Sequence, residues 1–214
     1  MAVALGLSAC ANAADPEAFH QAEVASDPLA MVRIADAAGQ SGDSAGALAF
    51  YRRAAELDPT SATAQIGIAR SLTEQGSVDE AIDTLNQTHA REPSNAQVDI
   101  TLGRLLVAAR RPVEAVPVFR EGLRQDPRSV PLLIGQGVAL DAVARHDEAQ
   151  KSYEEALRID PGNVPARKDL ALSRSLSGRA GGKGGRQVPS SENRPREVGS
   201  GGAKPISTPM TPVE

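Results

Sequence analysis

Residues 45–59 read AGALAFYRRAAELDP, 79–93 DEAIDTLNQTHAREP, 113–127 VEAVPVFREGLRQDP and 147–161 DEAQKSYEEALRIDP. The prolines that close them, Pro59, Pro93, Pro127 and Pro161, stand 34 residues apart at every step. Ala47, Ala81, Ala115 and Ala149 keep the same phase, and a larger apolar residue follows four positions later at Tyr51, Leu85, Phe119 and Tyr153. A unit of this length cannot bury its apolar side alone, so the core must form between stacked units.

Local chemistry says what each unit is. The acid–proline pairs Asp58-Pro59, Glu92-Pro93, Asp126-Pro127 and Asp160-Pro161 end a helix, because the residue before proline is pushed out of the helical region. Gly42 and Gly76 mark a turn inside the first two units, where the third and fourth carry ARRP and ARHD. With three Phe, two Tyr and no Trp, and with Ala and Leu dominating the apolar set, the composition suits close-packed helices rather than strands.

The pattern resembles the tetratricopeptide repeat (TPR) family, whose unit is a 34-residue helix-turn-helix. With proline at position 32, position 8 is small in each unit (Ala35, Ala69, Gly103, Gly137), as is position 27 (Ala54, Thr88, Gly122, Ala156). Position 7 carries Ile34, Ile68 and Leu102, with Gln136 in the fourth unit. The site where the family often has tryptophan holds Met31, Gln65, Asp99 and Leu133. The resemblance implies an all-α, right-handed TPR solenoid: repeats 28–61, 62–95, 96–129 and 130–163, then a capping helix over 164–178.

Charge and cysteine content narrow the function. The net charge of -4 does not favour a nucleic-acid surface, and a single Cys excludes an intramolecular disulfide or a multi-cysteine metal site. No apolar run reaches the roughly 18 residues of a membrane span. Residues 179–214, with seven Gly, five Pro and six basic residues, read as a disordered basic tail. GRAGGKG at its start, residues 178–184, is one residue short of a phosphate-binding loop and lacks the closing Ser or Thr. His20, His89 and His146 have no evident convergent partners, and Glu80, Glu114 and Glu148 read as a solvated helix face. No catalytic residue, metal site, cofactor or small-molecule substrate is therefore expected.

In the family the first helices line a concave groove that holds a peptide or a partner helix. The resemblance puts Val32, Ile66, Ile100 and Ile134 at position 5, an apolar stripe, and Asp36, Arg70, Arg104 and Val138 at position 9. The Lys and Asn of carboxylate-clamp members are absent from these positions. The expectation is a partner segment with aliphatic side chains and one or two acids meeting Arg70 and Arg104; the alternative is that the isoleucines only support neighbouring helices and the arginines are solvated.

At the front, Leu7-Ser8-Ala9-Cys10 resembles a bacterial lipobox, in which the chain is cut before a lipidated cysteine. No Lys or Arg precedes Cys10, so residues 1–10 are expected to be the remainder of a signal that starts upstream, with 11–27 a linker. Together with residues 135–178, GQGVALDAVARHDEAQKSYEEALRIDPGNVPARKDLALSRSLSG, this arrangement is similar to the TadD-type TPR lipoproteins of the tight-adherence (Flp) pilus assembly system. That resemblance implies a scaffold anchored through Cys10 to the outer membrane, facing the periplasm, whose partners are pilus or secretion components. The alternative is a soluble TPR chaperone or adaptor.

Overall fold

The computed structural model describes residues 26–182. The lipobox with Cys10, the linker up to residue 25 and the tail from residue 183 lie outside the described residues. Nine helices follow one another among those described: α1 Pro28–Gln40, α2 Ser44–Leu57, α3 Ala62–Glu74, α4 Val78–Arg91, α5 Ala96–Ala108, α6 Pro112–Gln125, α7 Val130–Ala142, α8 His146–Ile159 and α9 Val164–Gly182. They pair as four helix-turn-helix units plus a last helix. That helix runs four residues past the expected cap boundary at Gly178, so the stretch assigned to the start of the tail is helical.

The acid–proline junctions work in two ways. Asp58, Glu92, Asp126 and Asp160 cap their helices outside the helical region, as proline demands. The aspartates also fold their carboxylates over the proline: Oδ1 of Asp58, Asp126 and Asp160 accepts from the backbone N–H two residues on, at 3.0–3.1 Å. At three of the four junctions the next helix then starts on a side-chain cap, as where Ser61 Oγ accepts from Ala64 N at 3.3 Å or Asn163 Oδ1 from Ala166 N at 3.0 Å; Ser129 makes no such bond.

The turn inside each unit needs a left-handed residue at position 15. Gly42 and Gly76 supply it with φ of 85°, but Arg110 and Ala144 adopt φ of 62° and 61° without glycine's freedom. The exposed Ala144 is where this strain can be relieved without touching the core. Ala144→Gly is expected to raise the unfolding free energy by about 0.5–1 kcal/mol, the left-handed penalty removed less glycine's extra unfolded-state entropy. Urea denaturation measures this, and a destabilised variant would contradict it.

Packing follows the small-residue register. Ala35, Ala54, Ala69, Ala81, Ala115, Ala149 and Ala156 are all at most 1% exposed, so helix backbones approach closely at these sites. Thr88 takes the same kind of place at position 27 by donating its hydroxyl to the Thr84 carbonyl at 2.8 Å. The residues at position 24 (Tyr51, Leu85, Phe119, Tyr153) are fully buried and join the units into one core. Consecutive helices pack pairwise, and the first helices α1, α3, α5, α7 and α9 also pack on one another in a row. The second helices make no comparable row among the described residues, so the stack presents its first helices on a shared face.

Candidate groove formed by the first helices

Position 5 is less open than the sequence implies. Val32 and Ile100 are only 8% exposed and belong to the core, while Ile66 and Ile134 are half-buried and pack against it. Position 9 is where the repeats diverge. In the first two units Asp36 and Arg70 pair across the groove, with Arg70 Nη2 donating to Asp36 Oδ1 at 3.0 Å. The Tyr51 hydroxyl donates to the same carboxylate oxygen and accepts from Arg70, whose guanidinium lies 5.6 Å from the centre of the Tyr51 ring. Burial and the Asp36 hydrogen bond push the Tyr51 phenol up to about 12, so it remains a proton donor. Arg70, expected to wait for a partner's acid, is thus engaged by the protein's own Asp36.

Two repeats on, the same slot is built differently. Arg104 stands where Asp36 does, Phe119 where Tyr51 does, and Val138 where Arg70 does. Arg104 is exposed and makes no hydrogen bond or ion pair among the described residues. A cleft of about 210 Å³ opens here, lined by Arg104, Val107, Ala108, Phe119, Ile134, Gly135 and Val138, with Phe119 itself buried behind the other side chains. The cleft at the first slot, about 230 Å³, is lined by Asp36, Gly39, Gln40, Arg70 and Glu74 and does not reach the Tyr51 ring. Glycine makes room for these rings. A Cβ on Gly67 would lie 2.4 Å from Tyr51, and one on Gly135 2.3 Å from Phe119, both closer than real side chains allow.

Two polar clusters escaped the sequence reading, one joined across two units and the other within the fourth unit and its cap. Asp99, at the position where tryptophan is common, is fully buried: Oδ1 lies 2.6 Å from His89 Nδ1, and Oδ2 has no partner among the described residues. Asp141 accepts from Ser173 Oγ at 2.7 Å and from the Tyr153 hydroxyl at 3.1 Å, and lies 2.8 Å from His146 Nδ1. His146, part of the ARHD stretch expected at the turn of the fourth unit, is the first residue of α8. The Ser173 hydroxyl points at the aspartate and not at the imidazole, so no serine–histidine nucleophile pair forms. No group of three His, Cys, Asp or Glu residues is disposed to hold a metal among those described.

Asp99 has a measurable signature. Burial raises its proton affinity, the His89 contact opposes this, and the Glu121 charge adds to the rise. Because its folded value is raised above the usual carboxylate value near 4, the native state holds this proton more tightly than the unfolded chain does. That contribution is full below the unfolded value and fades as pH rises through the folded one. The unfolding free energy of wild type minus Asp99→Asn is therefore expected to shift toward wild type as pH falls from about 7 toward about 4. A difference that is flat in pH would show that Asp99 has its ordinary affinity.

The repeat geometry agrees with family comparison. Tetratricopeptide-repeat profiles match residues 40–105 in one case and 17–62 with 100–164 in another. The chain belongs to the tetratricopeptide-repeat family. Repeats of this family mediate protein–protein interaction. A search of curated proteins gives no match. Among solved structures, the MamA protein is 20% identical with a TM-score of 0.61, over 71% of this chain and 82% of that one. YrrB, described as a TPR protein with an unusual peptide-binding site, is 23% identical with a TM-score of 0.59, over 78% and 86%. TTC0263 of Thermus thermophilus, a thermophilic TPR protein, is also 23% identical with a TM-score of 0.59, over 71% and 84%. At these identities the likeness carries the fold alone.

Proposed function

We propose that this TPR protein is a non-enzymatic scaffold that holds a segment of a partner protein in the groove of its first helices. The carrying observation is the second slot: an apolar cleft walled by Phe119 with an unpaired arginine, Arg104, at its edge. A groove whose charges were all paired internally, as at Asp36 and Arg70, would offer a partner much less. The lipobox-like LSAC ending at Cys10 and the likeness of the fourth repeat and cap to TadD-type lipoproteins support a finer reading. In it, the chain is tethered through Cys10 to the outer membrane, faces the periplasm, and assists assembly of a Flp/Tad-type pilus or secretion apparatus. An unlipidated chaperone or adaptor is the competing assignment.

Photo-crosslinkers placed at Ile134 and Val138 in native membranes, against one at the exposed Lys151 on α8, test the scaffold. Recovery of pilus-secretion components from the groove positions alone is expected. Equal recovery from Lys151, or none, refutes the groove. The mass of the mature N-terminus tests the tether: an unmodified Cys10 in the native host eliminates the lipoprotein.

A further inference from the structure

The internal repetition of this chain allows one slot to be compared with another. At the first, a carboxylate from position 9 of one unit (Asp36) satisfies the arginine at position 9 of the next (Arg70), and the cation covers the aromatic ring at position 24. At the second, the ring is buried behind the wall of an apolar cleft, the arginine is present as Arg104, and the carboxylate is missing because Val138 occupies the facing site. The Phe119 ring also lacks the hydroxyl that binds the acid at Tyr51. The second slot is therefore short of one acid, which must come from outside these walls, and it opens to an apolar cleft that the first slot lacks.

We infer that the slot walled by Phe119, Val107, Ile134 and Val138 is a specificity pocket for an aliphatic side chain of a partner segment, with a carboxylate one or two residues away pairing with Arg104. The inference rests on the scaffold reading above and names the chemistry of its partner. The cleft of about 210 Å³ is smaller than the roughly 300–1,000 Å³ of small-molecule sites, so it fits one side chain of a longer ligand. Its lining is apolar except for Arg104, which favours an aliphatic group over a polar one. The guanidinium is planar and able to bind a carboxylate through two donors, as a lysine is not.

The test is selection of a random nine-residue phage-displayed library on the immobilised full chain, with free peptides then measured by fluorescence anisotropy. Wild type is expected to enrich an aliphatic residue followed within two positions by Asp or Glu, at least about tenfold over the same residue followed by Lys or Arg. Arg104→Glu, at an exposed site outside the core, is expected to reverse that order. Arg104→Lys retains it more weakly. Val138→Asp, which supplies an internal acid, is expected to weaken uptake of the acidic peptides. Circular dichroism checks that each variant is folded. Equal enrichment of acidic and basic peptides, an order that Arg104→Glu leaves unchanged, or no peptide selected at all would overturn the pocket. So would self-association of the full chain that Arg104→Glu abolishes without any peptide uptake. If the pocket fails while crosslinks from Ile134 still reach assembly proteins, the scaffold stands with another recognition point. If the pocket passes and those crosslinks find none, the pilus assignment falls and the pocket stands.

Discussion

Phe119→Ala is expected to lower the unfolding free energy by about 3–5 kcal/mol, the cost of deleting a fully buried aromatic ring. The ring lies between two units, against Gly103 of its own first helix and Gly135 of the next. Neither glycine has a side chain that could move into the void, so relaxation is poor and the loss should not fall to the low end. In a solenoid each unit is held only by its neighbours, so the damage concentrates at the contact between the third and fourth repeats. Urea unfolding followed by far-ultraviolet circular dichroism is expected to show a lower midpoint, and broadening if the two ends of the stack uncouple. A loss below about 1 kcal/mol would mean that the ring is not part of the core.

Gly135→Thr is expected to cost about 1–3 kcal/mol or more, and Phe119→Leu to recover much of that loss. A Cβ at 135 would sit 2.3 Å from the ring of Phe119, itself confined by Gly103, so the ring cannot step aside. The chain already contains the compensated form. In the second unit position 24 is Leu85, and the residue at position 6 of the next unit is Thr101, whose hydroxyl donates to the Gln97 carbonyl at 2.7 Å. At Tyr51 and Phe119, where position 24 is aromatic and a full repeat follows, position 6 of the next unit is glycine, Gly67 and Gly135; after Tyr153 the cap helix carries Asp169 there. A double-mutant cycle between 119 and 135 is expected to give a coupling of about 1–3 kcal/mol favouring the Leu–Thr pair. Additive losses would show that ring and glycine do not constrain each other.

These predictions rest on a rule that is only half legible in the sequence. The small residues at positions 8 and 27 can be read from it, because they recur with the 34-residue period at every unit. The pairing of position 24 with position 6 crosses from one unit to the next and needs the stack. The groove shows the same division. Periodicity alone places Asp36, Arg70, Arg104 and Val138 together at position 9. That Asp36 and Arg70 satisfy each other, leaving Arg104 unpaired, depends on side chains meeting across 34 residues. Val32 and Ile100, expected on the groove surface, are largely covered, since position 5 lies at the edge between groove and core and its exposure follows from how closely neighbouring helices approach. His89 and Asp99 give no signal in the sequence: one ends a second helix, the other begins a first, and only packing of α4 against α5 brings them together.

The sequence by itself determined the unit, its helices and the number of repeats, because caps, acid–proline stops and apolar spacing all act within the 34-residue unit. The position-15 turn was only partly local: glycine announces it at Gly42 and Gly76, whereas Arg110 and Ala144 are held in the same left-handed geometry by the helices on either side. Only the tertiary structure decided which of two equivalent slots is closed and which is open. The two slots are built on equivalent helices with an equivalent glycine, and differ in three side chains, of which the Asp36–Arg70 pair meets only after the units have stacked.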